Sequence, residues 1–245
     1  MVLHPELQGY KEQSKSPVWR LLYKLKWTQL ADIIELNGLK VLDFGSGFGT
    51  TANYLAMNNE VIAVEPREDI IQVRENDNFY VQLNGGLDLL KEMEENTFDL
   101  IICHNVLEFA SENDERINII KEFSRLLKND GVLSIIKNNG AGRIIAKVVY
   151  ENNVDEAINL LDGGHIANVF GRVDLYDHKD LEKWGENLKI EKLLGVRTFY
   201  GLQQNIELQN EQGWLDKMFD IEMKTCDMEP YKSISLFHHV LLRKI

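Results

Sequence analysis

The sequence is short of cysteine and of uninterrupted apolar stretches. It contains two cysteines, Cys103 and Cys226, among 245 residues, which is too few for the disulfide framework of a small secreted protein. No segment has the roughly 18 consecutive apolar residues that a membrane-spanning helix needs. Residues 1–17 lack the apolar centre of a secretory signal. We therefore expect a cytoplasmic protein with no membrane partner.

Basic residues are also fewer than acidic residues. Lysine and arginine total 27 against 39 acidic residues, which gives a net charge of −12. This balance argues against a protein that grips nucleic acid over a wide phosphate surface, although a local basic face is compatible with it. Residues 11–26 carry five basic residues and one acid, but such a run is most often a solvated face.

What the sequence does contain is an alternation of strand and helix patterns from about residue 39 onward. This order is typical of βαβ units with a parallel sheet. A helical apolar pattern over residues 17–36 precedes the first strand and predicts a lid of one or two N-terminal helices. The five predicted strands are Lys40–Phe44, Glu60–Pro66, Asn78–Leu83, Phe98–Asn105 and Gly131–Asn138.

The pattern loosens after the fifth strand. Residues 139–176 are rich in glycine and asparagine, with a short helical run at 155–161, and we interpret them as an insertion over the active site. Residues 178–188 then predict a helix and 189–199 a strand. A further helix is predicted over 205–224, and residues 233–244 form a closing strand.

A glycine-rich loop follows the first predicted strand, with the sequence Asp43-Phe44-Gly45-Ser46-Gly47-Phe48-Gly49. Glycines at this point let the backbone turn tightly and approach a ligand. A dinucleotide fingerprint G-x-G-x-x-G would need glycine where Thr50 stands. The spacing G-x-G-x-G after an acid instead resembles motif I of class I methyltransferases, which bind S-adenosylmethionine (SAM). Glu65 ends the second strand, where a carboxylate can accept hydrogen bonds from both ribose hydroxyls.

Further segments carry a closer resemblance. His104–Ala110, with the sequence HNVLEFA, resembles the segment after the fourth strand in type 11 methyltransferases. Together with residues 131–139, 195–202 and 226–244, it resembles the CmoM family (also called SmtA) over nearly the whole chain. Enzymes of that family methylate the carboxylate of 5-carboxymethoxyuridine at the wobble position of tRNA.

The resemblance implies an α/β architecture, namely the Rossmann-like seven-stranded class I methyltransferase fold. N-terminal helices and an insertion after the fifth strand would be added to it. We divide the single domain into an N-terminal helical lid (1–38) and a cofactor-binding core (39–138). A substrate-side insertion (139–176) and the C-terminal part of the sheet with an inserted helix (177–245) complete it.

The resemblance also implies cofactor contacts. By position these come from Gly45, Ser46, Glu65, His104, Asn84 and Gly85, with Arg20 reaching the carboxylate of the cofactor. Our interpretation of the loop and of the second strand end adds Asp43, Gly47, Gly49 and Pro66. Two alternatives stay open, because Asp43 could stabilise the loop through backbone N–H groups and His104 could be a satisfied strand-end histidine.

The reaction implied by the resemblance is methyl transfer to a carboxylate. A carboxylate is already ionised, so we expect no general base and name no catalytic residue. Arg197 is our candidate for holding the acidic group, because arginine recognises carboxylates and phosphates in bidentate fashion. Arg143 is a weaker candidate, and Tyr231 and Tyr200 could stack on a base. The alternative for Arg197 is a strand-end surface arginine, and the alternative for both tyrosines is plain packing.

Two other functions remain open at this point. One is a methyltransferase for a small-molecule acid or metabolite, which the net charge of −12 favours. Residues 163–176, which correspond to a basic stretch of the family, contain a single arginine, Arg172. The other is a protein that binds SAM without catalysis. We expect no metal site, and the sequence does not indicate an oligomeric state.

Overall fold

A seven-stranded sheet forms the centre of the computed structural model, which describes residues 4–110, 113–205 and 207–245. Its strands are β1 (Lys40–Phe44), β2 (Glu60–Glu65), β3 (Val81–Asn84), β4 (Phe98–His104), β5 (Leu127–Asn138), β8 (Leu188–Val196) and β9 (Phe237–Lys244). Their order is β3-β2-β1-β4-β5-β9-β8. The first five are parallel, and β9 is antiparallel to both of its neighbours. This arrangement confirms the predicted fold class.

The carboxyl ends of the parallel strands lie at one edge of this sheet. Because β8 and β5 both run antiparallel to β9, β8 is parallel to β1–β5. The carboxyl ends of all six strands therefore meet at one edge, which is where ligands bind in open α/β sheets. The glycine loop, His104 and Arg197 all follow or end these strands.

Helices cover both faces of the sheet. They are α1 (Pro5–Ser14), α2 (Pro17–Ala31), α3 (Thr50–Leu55), α4 (Glu68–Ile71), α5 (Leu87–Glu92), α6 (Asn113–Leu126), α7 (Gly140–Ile145), α8 (Val154–Leu161), α9 (Asp180–Trp184), α10 (Trp214–Thr225) and α11 (Tyr231–Ile234). Proline begins α1 and α2, where a missing N–H costs nothing. Phe123 of α6 and Leu181 of α9 pack on one face of the sheet. Leu30 of α2 and Leu55 of α3 pack on the other.

Several element boundaries differ from the sequence-based expectation. The strand predicted from Asn78 begins at Val81, because Asn78 is held by hydrogen bonds to Asn53 instead. The fifth strand starts at Leu127, four residues early, since Leu127 pairs with Phe98 across a bulge. The helix predicted over 205–224 begins only at Trp214.

The segment after β5 contains more structure than its glycine and asparagine content indicates. It continues from α7 into a π-helical turn (Ala146–Tyr150) and then α8. A short hairpin follows, formed by β6 (Ile166–Asn168) and β7 (Gly171–Val173). Within the described part of the chain, no helix is long and apolar enough to cross a membrane.

Candidate functional site

The glycine loop turns sharply between β1 and α3. Gly45 and Gly47 have φ angles of 74° and 54°, in the left-handed region that favours glycine. A Cβ on Gly45 would also collide with the side chain of Val106. The N–H of Gly47 donates to Oε2 of Glu65 at 2.9 Å, so the loop is tied to the end of the neighbouring strand β2.

Glu65 is buried at the end of β2. Besides the bond from Gly47, its other oxygen accepts from the N–H of Arg67 at 3.0 Å. Burial raises the pKa of Glu65, and these backbone bonds oppose the rise. Asn84 ties β3 to this corner by donating to the carbonyl oxygens of Glu65 at 3.2 Å and Pro66 at 3.1 Å. The N–H of Gly85 also donates to the Glu65 carbonyl at 3.2 Å.

Polar atoms without partners gather where β1 and β4 end. Asp43 accepts a hydrogen bond from the N–H of Ala52, which is the loop-stabilising role considered from the sequence, but its Oδ2 has no partner. Ser46 Oγ, His104 Nδ1 and Asn105 Oδ1 are likewise shielded and unpaired. Buried polar atoms are nearly always hydrogen-bonded in proteins. A polar ligand with several donors would satisfy this group, and the α-ammonium and hydroxyls of SAM are such donors.

The basic residue beside this group is Lys26 of α2, which the sequence analysis did not select. It is 4% exposed, and among the described residues no carboxylate forms an ion pair with it. Burial lowers the pKa of Lys26 to about 8, and the nearby charge of Asp43 opposes the change. The predicted contact Arg20 is exposed on the same helix. A signal was available, since Lys26 interrupts the buried apolar face of α2.

His104 ends β4 and takes part in a buried chain of polar side chains. Its Nε2 lies 2.9 Å from Ser134 Oγ, which lies 2.8 Å from Nε2 of His239. Nδ1 of His239 lies 2.9 Å from Oε1 of Gln29. Burial lowers the pKa of both histidines, to about 3 for His239. Of the two ring nitrogens of His104, Nε2 thus has a hydrogen-bond partner within the protein, whereas Nδ1 has none.

Two arginines form a second cluster at the same edge of the sheet. Arg143 lies on α7 just after β5, and its Nε donates to Oδ1 of Asn138. Arg197 follows β8 directly, with a left-handed φ of 64° and a shielded, unpartnered Nε. Burial lowers the pKa of Arg143 to about 10, and the charge of Arg197 adds to this. Within the described ranges, no carboxylate forms an ion pair with either guanidinium.

Glu108 connects the segment after β4 to this cluster. It is 1% exposed, and its Oε1 accepts from both the backbone N–H and the side-chain amide of Asn138. Asn138 in turn accepts from Arg143. The side chain of Arg143 is thus positioned by a chain of hydrogen bonds that begins at Glu108, four residues after the end of β4.

The loop that carries Arg197 is held by a carboxylate of α10. Glu222 accepts from the N–H groups of Thr198 at 2.9 Å, Phe199 at 2.8 Å and Tyr200 at 3.2 Å. Tyr200 is 2% exposed, so its ring offers no face to a substrate base. Tyr231 is half-buried against Phe199, with ring centroids 5.7 Å apart, and keeps part of its ring accessible.

Metal-binding residues are not grouped at this edge. In residues 4–110, 113–205 and 207–245, no three histidine, cysteine, aspartate or glutamate side chains lie together so that they could hold a metal ion.

Comparisons with known proteins agree with this architecture. Residues 42–135 match the family described as "Methyltransferase domain". The chain is 26% identical to the tRNA 5-carboxymethoxyuridine methyltransferases of Escherichia coli K12 and O157:H7, over 92% of this chain and 88% of theirs. These matches confirm the resemblance described from the sequence.

Solved structures share the fold at low sequence identity. A SAM-dependent methyltransferase from Thermotoga maritima is 15% identical and superposes with a TM-score of 0.62, covering 98% of this chain and 96% of its own. A TehB-like SAM-dependent methyltransferase from Corynebacterium glutamicum is 18% identical with a TM-score of 0.56, and 97% of each chain is covered.

Proposed function

We propose that this chain is a SAM-dependent methyltransferase whose methyl acceptor is the carboxylate of 5-carboxymethoxyuridine at the wobble position of tRNA. The observation that carries the proposal is the pair Arg143 and Arg197 at the edge of the sheet where the cofactor loop lies, which have no acidic ion-pair partner among the described residues. Two guanidinium groups without a carboxylate partner suit an anionic acceptor. The 26% identity to tRNA-modifying enzymes over 92% of the chain supports tRNA as its carrier.

The cofactor fits the unpaired atoms at the ends of β1 and β4. In this proposal Glu65 accepts from the ribose hydroxyls, and Asp43 accepts from the α-ammonium group through its free Oδ2. Lys26 holds the carboxylate of the cofactor, in place of the exposed Arg20. Asn84, Gly85 and Pro66 line the adenine side, and the loop of Gly45, Ser46, Gly47 and Gly49 allows close backbone approach.

The mechanism requires positioning rather than proton transfer. Bound SAM would supply a methyl group on a positively charged sulfur: the acceptor oxygen would bond to the methyl carbon in line with the carbon–sulfur bond, which breaks and releases S-adenosylhomocysteine. Arg143 and Arg197 hold the acceptor carboxylate by charge-assisted hydrogen bonds and fix its direction of approach. Because the carboxylate is already ionised, no side chain has to remove a proton, and exclusion of water from the site raises its reactivity.

A small-molecule acid is the second candidate, and the surface charge favours it. Three lysines of the basic run 11–26 already have partners, since Lys11 donates to the Val73 carbonyl and Lys15 and Lys24 form ion pairs with Glu12 and Asp216. Arg172 of the insertion is paired with Asp174. A small acid would need the arginine pair but no phosphate contacts.

The test is mass spectrometry of nucleosides from tRNA that lacks the terminal methyl ester, after incubation with the protein and SAM. A gain of one methyl group on 5-carboxymethoxyuridine supports the proposal. If SAM binds but the nucleoside gains nothing, the acceptor is another acid. If SAM binds and no acid is methylated, the chain acts as a SAM-binding protein without catalysis.

A further inference from the structure

We propose that Gln29, Ser134 and His239 form a hydrogen-bond relay that fixes the tautomer of His104, so that its Nδ1 accepts a hydrogen bond from the α-ammonium group of the bound cofactor. The inference deepens the proposed function and rests on its cofactor site. It assigns a positioning role to three residues that lie on different elements and that the sequence motifs do not mark.

The direction of every bond in the relay follows from its anchor. Gln29 Nε2 lies 3.0 Å from the carbonyl oxygen of Gly195, and a carbonyl can only accept. The amide orientation of Gln29 is thereby fixed, and its Oε1 faces Nδ1 of His239 as an acceptor at 2.9 Å. His239 must therefore carry its proton on Nδ1.

The remaining two bonds follow in the same way. With Nδ1 protonated, neutral His239 has a lone pair on Nε2, so the hydroxyl of Ser134 donates to it across 2.8 Å. The Ser134 oxygen is then free to accept, and its contact at 2.9 Å is Nε2 of His104. His104 is consequently the Nε2–H tautomer, with a bare lone pair on Nδ1.

The surroundings keep both imidazoles neutral. His239 is completely buried, which disfavours its charged form, and the ammonium of Lys26 on α2 lowers the pKa of both rings further. A neutral relay of defined direction has one free end. That end is Nδ1 of His104, which is shielded from solvent and has no partner.

The sheet order indicates which donor of the cofactor lies there. SAM offers three kinds of polar donor: the ribose hydroxyls, the adenine amine and the α-ammonium group. Glu65 of β2 and Asn84 of β3 lie on one side of β1, whereas β4 with His104 lies on the other. With Glu65 accepting from the ribose as proposed above, the ribose and adenine would lie toward β2 and β3, and the α-ammonium would be the donor that remains for His104.

The end of the relay indicates a role beyond folding. A partly satisfied buried network is costly to a fold, and the unsatisfied acceptor of this relay lies at the cofactor site, beside the unpaired Asp43 Oδ2 and Ser46 Oγ. His104, Ile136 and His239 occupy adjacent register positions on β4, β5 and β9. The relay thus crosses three strands and α2 to reach one atom at the edge where ligands bind.

The first test reads the tautomers directly in the protein without cofactor. Long-range ¹H–¹⁵N NMR spectra distinguish a protonated ring nitrogen from a bare one, and the variants His104→Gln and His239→Gln assign the signals. The expected result is an Nε2–H tautomer for His104 and an Nδ1–H tautomer for His239. An Nδ1–H tautomer or an equal mixture at His104 would overturn the inference.

The second test breaks the relay at two points. Ser134→Ala removes its centre, and Gln29→Leu removes its anchor. Each is expected to mix the His104 tautomers and to raise the Kd for S-adenosylhomocysteine about three- to tenfold. The KM for the methyl acceptor should stay unchanged. The control is Ser124→Ala, which also removes a buried serine hydroxyl, bonded to the Glu186 carbonyl on the other face of the sheet.

The outcomes separate this inference from the proposed function. If the tautomers are as expected but neither variant weakens S-adenosylhomocysteine binding more than Ser124→Ala does, the relay has no role at the cofactor and the inference fails. Methylation of the acceptor by the wild-type protein would still stand in that case. Failure of the wild-type protein to bind S-adenosylhomocysteine would instead reject the cofactor site on which both depend.

Discussion

At the scale of single residues, the site holds buried groups of opposite charge that do not neutralise each other. Lys26 is 4% and Asp43 is 3% exposed, yet they form no direct ion pair. Burial lowers the pKa of Lys26 to about 8 and raises that of Asp43 to about 7. Isolated buried charges are costly. A ligand that carries both an ammonium and a carboxylate group would provide a partner of opposite charge for each residue, the ammonium for Asp43 and the carboxylate for Lys26.

Replacing Lys26 tests this arrangement through pH. The carboxylate of the ligand should raise the pKa of Lys26 on binding, so binding takes up a proton once the pH exceeds about 8. The affinity for S-adenosylhomocysteine should then fall with rising pH, by at most tenfold per pH unit. Lys26→Met should weaken binding about tenfold or more at pH 7 and remove this part of the alkaline decline.

Calorimetric titration from pH 6 to 10 measures both effects. The ligand's own ammonium titrates equally with both proteins. Because the charge of Lys26 lowers the pKa of Asp43, which is about 7, the part of the affinity ratio above about pH 8 is the part that reports on Lys26. Lys24→Met, which removes an exposed lysine of the same helix, should behave like the wild-type protein. Parallel pH profiles for Lys26→Met and wild type would contradict the assignment.

Arg197 provides the second prediction at this scale. Arg197→Ala should lower kcat/KM for the acceptor about 100-fold and leave the Kd for S-adenosylhomocysteine within about twofold, because the residue acts on the acceptor. Arg197→Lys should recover only part of the activity, since lysine lacks the bidentate geometry. Steady-state kinetics and direct binding measure the two quantities.

The matched control for Arg197 is Arg243→Ala. Arg243 is ion-paired with Glu191 near the carboxyl end of β9, and because β9 runs antiparallel, this lies at the opposite edge of the sheet. An equal loss of activity in both variants, or a loss of cofactor affinity in Arg197→Ala, would argue against a direct contact between Arg197 and the acceptor.

At the scale of elements, α10 fixes the loop that follows β8. Glu222 is 1% exposed and accepts three successive backbone N–H groups, those of Thr198, Phe199 and Tyr200. A carboxylate in this position accepts hydrogen bonds from N–H groups that would otherwise be buried without partners. The left-handed backbone of Arg197 just before them is maintained by this contact.

Glu222→Gln should therefore weaken both the fold and the site. An amide can accept with one end only, so at least one N–H loses its partner, and we expect a loss of about 1–3 kcal/mol in the free energy of unfolding. Urea denaturation measures it. Asp220→Asn, an exposed acid on the same helix, should change stability by less than about 0.5 kcal/mol. Equal effects would reject the role of Glu222.

The elements also show which features are predictable from sequence. The glycine loop and Glu65 could be located because a local pattern, strand then G-x-G-x-G then helix, encodes their spacing. The interrupted apolar face of α2 marks Lys26 as unusual, but the roles of Lys26 and Gln29 could not be assigned, since they depend on how α2 packs against β8 and β9. The hairpin β6–β7 was missed because each strand has only three residues, too few for a periodic signal.

At the scale of the whole molecule, the net charge of −12 limits how tRNA could bind. Several cations of the N-terminal run already have partners, so we expect contact with few phosphates. Each neutralised phosphate contributes about 0.7–0.9 to the slope of log affinity against log salt concentration, so the slope should lie between about −1 and −3. Binding of an anticodon stem-loop at several salt concentrations measures it. A much steeper slope would indicate an extended basic surface that this account lacks.

The central claim is that a carboxylate, held by Arg143 and Arg197, receives the methyl group without a general base. The most direct measurement uses SAM labelled in its methyl group, followed by mild alkaline treatment of the product. A methyl ester hydrolyses under these conditions, so the account predicts that the label is released as methanol. Label that stays attached to the acceptor after alkali would mean methylation on nitrogen, carbon or a hydroxyl, and would contradict it.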